Sequence, residues 1–309
     1  MEMEHFWKSI TPHMLKEPFD VALYRIVMEE CGSLATEPTG VTYEEVQCPG
    51  TVKPAIWCRP VSVSTPPSSL SSPPPPPPVI LYLHGGGFIS GSPASHRKLA
   101  AHLAKHAGTH ALVLDYRRAP EHTFPSQIDD VVAAYKWLTE DQGIPHTKIA
   151  LAGDSAGGNL SVATSLALRE KGLPLPAAIA GFSPWLDMRV SGASYETNRD
   201  KDALAKPEML PGVIQTYLGG NDKADEPLVD LLRTDLKGLP PMYLATGTSD
   251  ILQSDAETLA KRAREAGIDV ELETPKDLQH IYVCLAGNAK EADHTLKSAG
   301  AFIRSKMGL

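Results

Sequence analysis

The chain has 309 residues, 42% of them hydrophobic, and a formal net charge of −8 at pH 7 without a long run of either sign. That is enough apolar content for one substantial core, and the charge balance argues against a polyanionic partner such as nucleic acid. No apolar run approaches the roughly 20 residues of a membrane span, and the acidic start MEMEHFWKSI lacks the basic-then-apolar order of a secretory signal, so a soluble cytoplasmic protein without stable membrane insertion is expected.

In chain order, Phe6, Ile10 and Met14, then Val21, Tyr24, Val27 and Met28, recur at helical spacing and predict two short helices before about residue 35. Residues 41–48 and 55–59 read as two strands of a hairpin around Pro49-Gly50. The four cysteines, Cys31, Cys48, Cys58 and Cys284, have no C-x-x-C spacing and read as free thiols, although Cys48 and Cys58 could meet across this hairpin. Residues 61–78 are rich in serine and end in the run Pro73 to Pro78, which lacks backbone donors and predicts a surface loop partly stiffened as polyproline II. An insertion tolerated between two strands explains it better than a docking ligand.

From Val79 onward apolar runs alternate with helical patterns: strands at 79–83, 111–115 and 149–152, helices at 98–106 and 128–138. That alternation predicts a mostly parallel sheet with helices on both faces. His102 and His106 share a helix face but lack the intervening glutamate and third ligand of a metal site, and a solvated face is expected; no metal and no cofactor are called for.

Two glycine-rich stretches carry the chemistry. In 79–88, VILYLHGGGF, a buried strand runs into Gly85, Gly86 and Gly87, whose N–H groups can turn toward one point. In 148–160, KIALAGDSAGGNL, a strand breaks into G-x-S-x-G and then a helix, presenting Ser155 on a sharp turn. A serine that attacks an ester needs donors for the oxygen that becomes negative, each worth about 3 to 4 kcal/mol in the transition state. Gly86, Gly87 and the Ala156 N–H at the helix start are the expected oxyanion hole.

Downstream, a helix to about 171 and a strand at 177–182 are followed by a break of about 50 residues in the alternation, long enough to be functional. Within it the apolar set around Met209, Val213 and Tyr217 predicts a helix beside the charged Arg199, Asp200, Lys201 and Asp202, read as a polar entry. The sheet resumes at 242–245, then a helix at 254–266, a strand at 270–274 and a final helix at 295–307. Asp250 and His280 fall just past strand ends, where catalytic groups of open α/β sheets gather, and the order serine, acid, histidine is that of a serine-hydrolase triad on such a sheet. Asp255 is the rival acid but lies in the following helical pattern. His280 serves as general base, with Asp250 fixing its tautomer.

With HGGGF, GDSAGGNL, DYRRAPEHTFP at 115–125 and SPWLDM at 183–188, the chain resembles the hormone-sensitive-lipase family of α/β-hydrolases over most of its length. The resemblance implies one α/β-hydrolase domain over 1–309 with cap elements near 1–40 and 188–226. It also implies a carboxylesterase acting through an acyl-Ser155 intermediate on small to medium apolar esters; the final helix would serve a dimer edge or ordinary packing equally well, which leaves a monomer or homodimer open. Phe88, Met209, Val213, Tyr217 and Ile281 are the candidate pocket residues. Two departures stand out: Asp250-Ile251-Leu252 where the family often has Asp-Pro-Leu, and His280-Ile281-Tyr282 where it often has His-Gly-Phe. The tail LQHIYVCLAG is closer to the branch with lactone hydrolases and fungal secondary-metabolite esterases, which keeps a lactone or such an ester open as substrate. The same triad would also serve amides and thioesters. A non-catalytic small-molecule receptor resembling the plant gibberellin receptors is disfavoured because the histidine is retained.

Overall fold

The central strands are almost continuously apolar because alternate side chains enter two different cores. The computed structural model describes residues 2–15, 19–49, 51, 53–63, 75–220, 223 and 225–309. Its elements open with α1 (Glu2–Met14), α2 (Val21–Glu29), α3 (Cys31–Leu34), β1 (Val41–Val46) and β2 (Ala55–Pro60). Next come β3 (Val79–Leu83), α4 (Pro93–Ala107), β4 (His110–Leu114), α5 (Ser126–Lys136), β5 (Ile149–Asp154), α6 (Ala156–Glu170) and β6 (Ala178–Phe182). The remainder is α7 (Ser194–Thr197), α8 (Leu210–Leu218), β7 (Met242–Ala245), α9 (Gln253–Glu265), β8 (Val270–Glu273) and α10 (Lys290–Met307).

The described strands form one sheet in the order β1-β2-β4-β3-β5-β6-β7-β8. β1 and β2 run antiparallel at one edge, and β4, β3, β5, β6, β7 and β8 are parallel. Leu81, Leu83, Leu112 and Leu151 face one core with apolar residues of α5, α6 and α9. Ile80, Tyr82, Val113 and Ala152 face the other with α4 and α10. Because β4 lies on one side of β3 and β5 on the other, the strand order reverses at β3/β5, the place where a crevice opens beyond the carboxyl ends of such strands.

Three details differ from expectation or sharpen it. Cys48 and Cys58 belong to opposite cores, so the hairpin keeps them apart; all four thiols are buried and free. The last helix starts at Lys290 rather than 295, since its first turn carries Glu291 and Asp293, which suit the helix dipole but add nothing to an apolar stripe. Of the expected loop at 61–78, residues 64–74 lie outside the described residues, as do Pro73 and Pro74 of the proline run.

Two segments distant in sequence meet over the carboxyl ends of the strands. α1 and α2 come from the N-terminal side, and α7 and α8 from the stretch between β6 and β7. The Thr11 hydroxyl donates to the Ala203 carbonyl at 2.8 Å in a buried contact between them.

Candidate active site

Ser155 follows β5 directly, at φ 51° and ψ −117°, a conformation uncommon for any residue with a side chain. Its own N–H continues the sheet by donating to the Phe182 carbonyl at 2.9 Å. The flanking glycine is demanded by the neighbouring strand: a β-carbon on Gly157 would sit 1.8 Å from the Leu83 carbonyl oxygen. α6 can therefore start against β3 only without that side chain, and this close start leaves the serine at the turn.

His280, in the loop after β8, places Nε2 3.0 Å from the Ser155 Oγ. Its Nδ1 lies 3.2 and 3.3 Å from the two carboxylate oxygens of Asp250, which follows β7. Asp250 is fully buried and is further held by the Leu252 N–H at 2.8 Å and the Thr246 hydroxyl at 3.2 Å. Burial alone would raise its carboxyl, but the facing imidazole, the Ser183 hydroxyl and the Leu252 N–H hold it below the ordinary aspartate value. Burial likewise opposes charge on His280, yet Asp250 and, beyond it, Asp202 and Asp154 lift the imidazole above its ordinary value.

The glycine loop after β3 divides its donors. The Gly85 N–H does not join its neighbours: it donates to Asp154 Oδ1 at 3.2 Å, together with the Tyr82 hydroxyl at 2.9 Å. Asp154 Oδ2 in turn faces His96 Nε2 at 3.3 Å in a fully buried pair. Burial opposes both charges, but their mutual attraction keeps the carboxyl low and the imidazole high. Tyr116, in the 115–125 stretch, braces the loop from behind through a 2.7 Å bond to the His84 carbonyl. Gly86 adopts φ 111° and its β-carbon would meet the Ser90 backbone at 2.6 Å, so the loop's tight turn excludes a side chain. The N–H groups of Gly86, Gly87 and Ala156 have no acceptor among the described residues.

A cavity of about 40 Å³ opens beside the serine. Gly86, Gly87, Met209, Val213 and Ile281 line it with Ser155 and His280, as does Trp185 of SPWLDM. Phe88 and Tyr217 do not: the two rings stack on each other at 3.9 Å, and Tyr217 meets Phe124 edge-on. Helical spacing puts Tyr217 one turn after Val213, but aromatic packing carries it into the core. Sequence reasoning also missed Tyr24 and Met28 of α2, which reach the cavity and were legible only as helix-face residues.

The rival Asp255 serves elsewhere. Its Oδ2 accepts the Leu186 and Asp187 N–H groups at 2.8 Å each and the Tyr195 hydroxyl at 2.9 Å, fixing the loop after β6. The expected polar entry at 199–202 is only partly so: Asp200 and Lys201 are exposed, but Asp202 is fully buried and turned toward Asp250 and His280. Among the described residues, Asp202, Asp250 and His280 are the one group whose atoms could converge on a metal, all lying within 4.8 Å of one another. Their facing atoms are already hydrogen-bonded to each other and to backbone N–H groups. His102 is not on a fully solvated face: it bonds the Thr36 hydroxyl and carbonyl at 3.2 and 3.1 Å, while His106 is exposed.

A family model described as alpha/beta hydrolase fold matches residues 80–284. An acetyl-hydrolase of Streptomyces hygroscopicus is 41% identical over 227 residues, 74% of this chain and 75% of that protein. An esterase of Acinetobacter venetianus is 32% identical over 224 residues, covering 72% and 74%. Among solved structures, an esterase from the bacterial hormone-sensitive lipase family superimposes with a TM-score of 0.87 at 35% identity, covering 99% of this chain and 97% of that one.

Proposed function

The chain belongs to the α/β-hydrolase fold family, in its hormone-sensitive-lipase group of carboxylic ester hydrolases, and we propose that it works through an acyl-enzyme on Ser155 and favours short acyl chains. The observation that carries this is the hydrogen-bonded line from Ser155 Oγ through His280 to Asp250, at 3.0 and 3.2 Å, beside three open N–H donors.

As Ser155 attacks the ester carbonyl, His280 Nε2 takes the hydroxyl proton and Asp250 stabilises the imidazolium that results. Gly86, Gly87 and Ala156 N–H groups receive the oxyanion, each worth about 10²- to 10³-fold in rate. The imidazolium then protonates the departing alkoxide, and water, deprotonated by the same nitrogen, releases the acid. The N-terminal helices and the 188–226 segment act as a cap that closes the site, and the chain folds as one domain beneath it.

Preference for short acyl chains follows from space. A water-sized group needs roughly 10–15 Å³ of such volume, so a 40 Å³ cavity takes about three or four of them, the size of a short acyl tail. The relative from Streptomyces is named an acetyl-hydrolase, which agrees. No described helix is long and apolar enough to cross a membrane, and a small ester diffusing from water is the substrate form expected.

The test is the initial rate on p-nitrophenyl esters from acetate to decanoate, with Ser155→Ala alongside. We expect acetate to lead and the variant to lose at least about 10⁴-fold in kcat with its fold intact. A folded variant of unchanged rate would refute the nucleophile, and a maximum at decanoate would refute the short pocket.

A further inference from the structure

We infer that Asp202 is a positioning residue for the reaction: a second buried carboxylate, carried by the cap segment, that steadies the imidazolium of His280 alongside Asp250. This rests on the ester-hydrolase reading above. Asp202 is fully buried, and it, Asp250 and His280 present atoms within 4.8 Å of one another. Its own oxygens are spoken for by backbone donors: Oδ1 accepts the Leu204 and Ala205 N–H groups at 3.0 Å each, and Oδ2 the Ile251 N–H at 3.2 Å. Three such donors favour the ionised form, against burial and the Asp250 charge, which raise the carboxyl to about 6.

Two buried anions side by side repel while His280 is neutral. Once the imidazole takes the serine proton, both attract it, so the gain appears chiefly when charge develops, which is the condition for accelerating the chemical step. The charged or titratable groups acting on His280 are Asp250, Asp202 and Asp154. Lys206, the cationic residue lining the cavity, spends its ammonium on the Arg199 carbonyl at 2.7 Å.

The same carboxylate ties the cap to the triad. Leu204 and Ala205, whose N–H groups it holds, line the cavity, and Ile251 is the residue after the triad acid. Neighbouring ties repeat the connection without charge: Asn198 Nδ2 donates to the Asp250 carbonyl at 2.8 Å, and the Ala203 N–H donates to Gln279 Oε1 at 3.1 Å. Seating of the cap and basicity of the histidine are therefore set at adjoining atoms.

The experiment is the pH profile of kcat/KM on p-nitrophenyl acetate for the full chain, Asp202→Asn and Gln279→Ala, with thermal unfolding of each. The histidine must be neutral to act as base, and Asp202 raises its pKa. Removing that charge should thus move the acid limb to lower pH, by about one unit, and lower the plateau kcat by up to about tenfold. Gln279→Ala, which cuts a cap tie but keeps the charge, should leave the limb where it is. An unmoved limb in folded Asp202→Asn, or an equal shift in Gln279→Ala, overturns the inference. Should the amide prevent folding, Asp202→Ser carries the same comparison. A wild type inactive on every ester would instead overturn the reading beneath it, and the inference with it.

Discussion

At the ends of β3 and β5 the site is held by backbone against backbone, with Gly157 seated on the Leu83 carbonyl and the Gly86 turn closed on Ser90. Over the ends of β7 and β8 it is held by side chains reaching across long stretches of sequence: Asp202 to Ile251, Asn198 to Asp250, Gln279 to Ala203. The first region tolerates almost no change of residue, because the obstacle is a carbonyl that cannot step aside. The second depends on polar partners that another sequence could replace, and it also borders the cavity beside Ser155. Rigidity at Ser155 and latitude around the cavity are thus separated within one site.

The strongest way to break this contrast is Gly157→Ala. A methyl 1.8 Å from a strand carbonyl must push α6 off β3, and we expect a loss of about 4 kcal/mol or more, seen as a steep fall in unfolding midpoint or in soluble yield. A stable, active variant would show that the elbow is softer than the backbone contacts imply.

Next in size is Asp255→Ala. It orphans two buried N–H groups and the Tyr195 hydroxyl, at a cost of about 3 kcal/mol in denaturant unfolding. Because Asp255 lies outside the triad, kcat of the folded fraction should fall far less than stability does. A collapse of kcat with stability kept would reverse the assignment of the two acids.

The smallest effect sharpens the pocket side. Ile281 sits at φ 49°, a left-handed conformation costly for a β-branched residue and one that glycine adopts freely. Ile281→Gly relieves about 1–3 kcal/mol of strain but deletes a buried side chain worth about 4, a net loss of about 2 kcal/mol. It also widens the cavity, so the ratio of hexanoate to acetate turnover should rise severalfold. An unchanged ratio would mean that Ile281 does not limit acyl length.

The same division separates what could be read early from what could not. The alternation of strands and helices, the glycine turns and the order Ser155, Asp250, His280 were legible because each follows from local rules of burial period, missing Cβ atoms and strand-end placement. Phe88 and Tyr217 stand away from the cavity, because neither helical spacing, for Tyr217, nor a place just after the glycine run, for Phe88, states whether a neighbouring ring will capture a side chain.

By itself, then, the sequence determined the layered sheet and the sharp turn at Ser155, since both arise between residues close in the chain. Only the tertiary structure decided that Gly85 serves Asp154 rather than the oxyanion, that α2 reaches the cavity, and that Asp202 turns inward. Asp202 stands amid charged neighbours that face water, and nothing in its vicinity marks it. Of its three backbone donors one is the Ile251 N–H, 49 residues further on, and a contact of that kind exists only after the sheet has brought the two segments together.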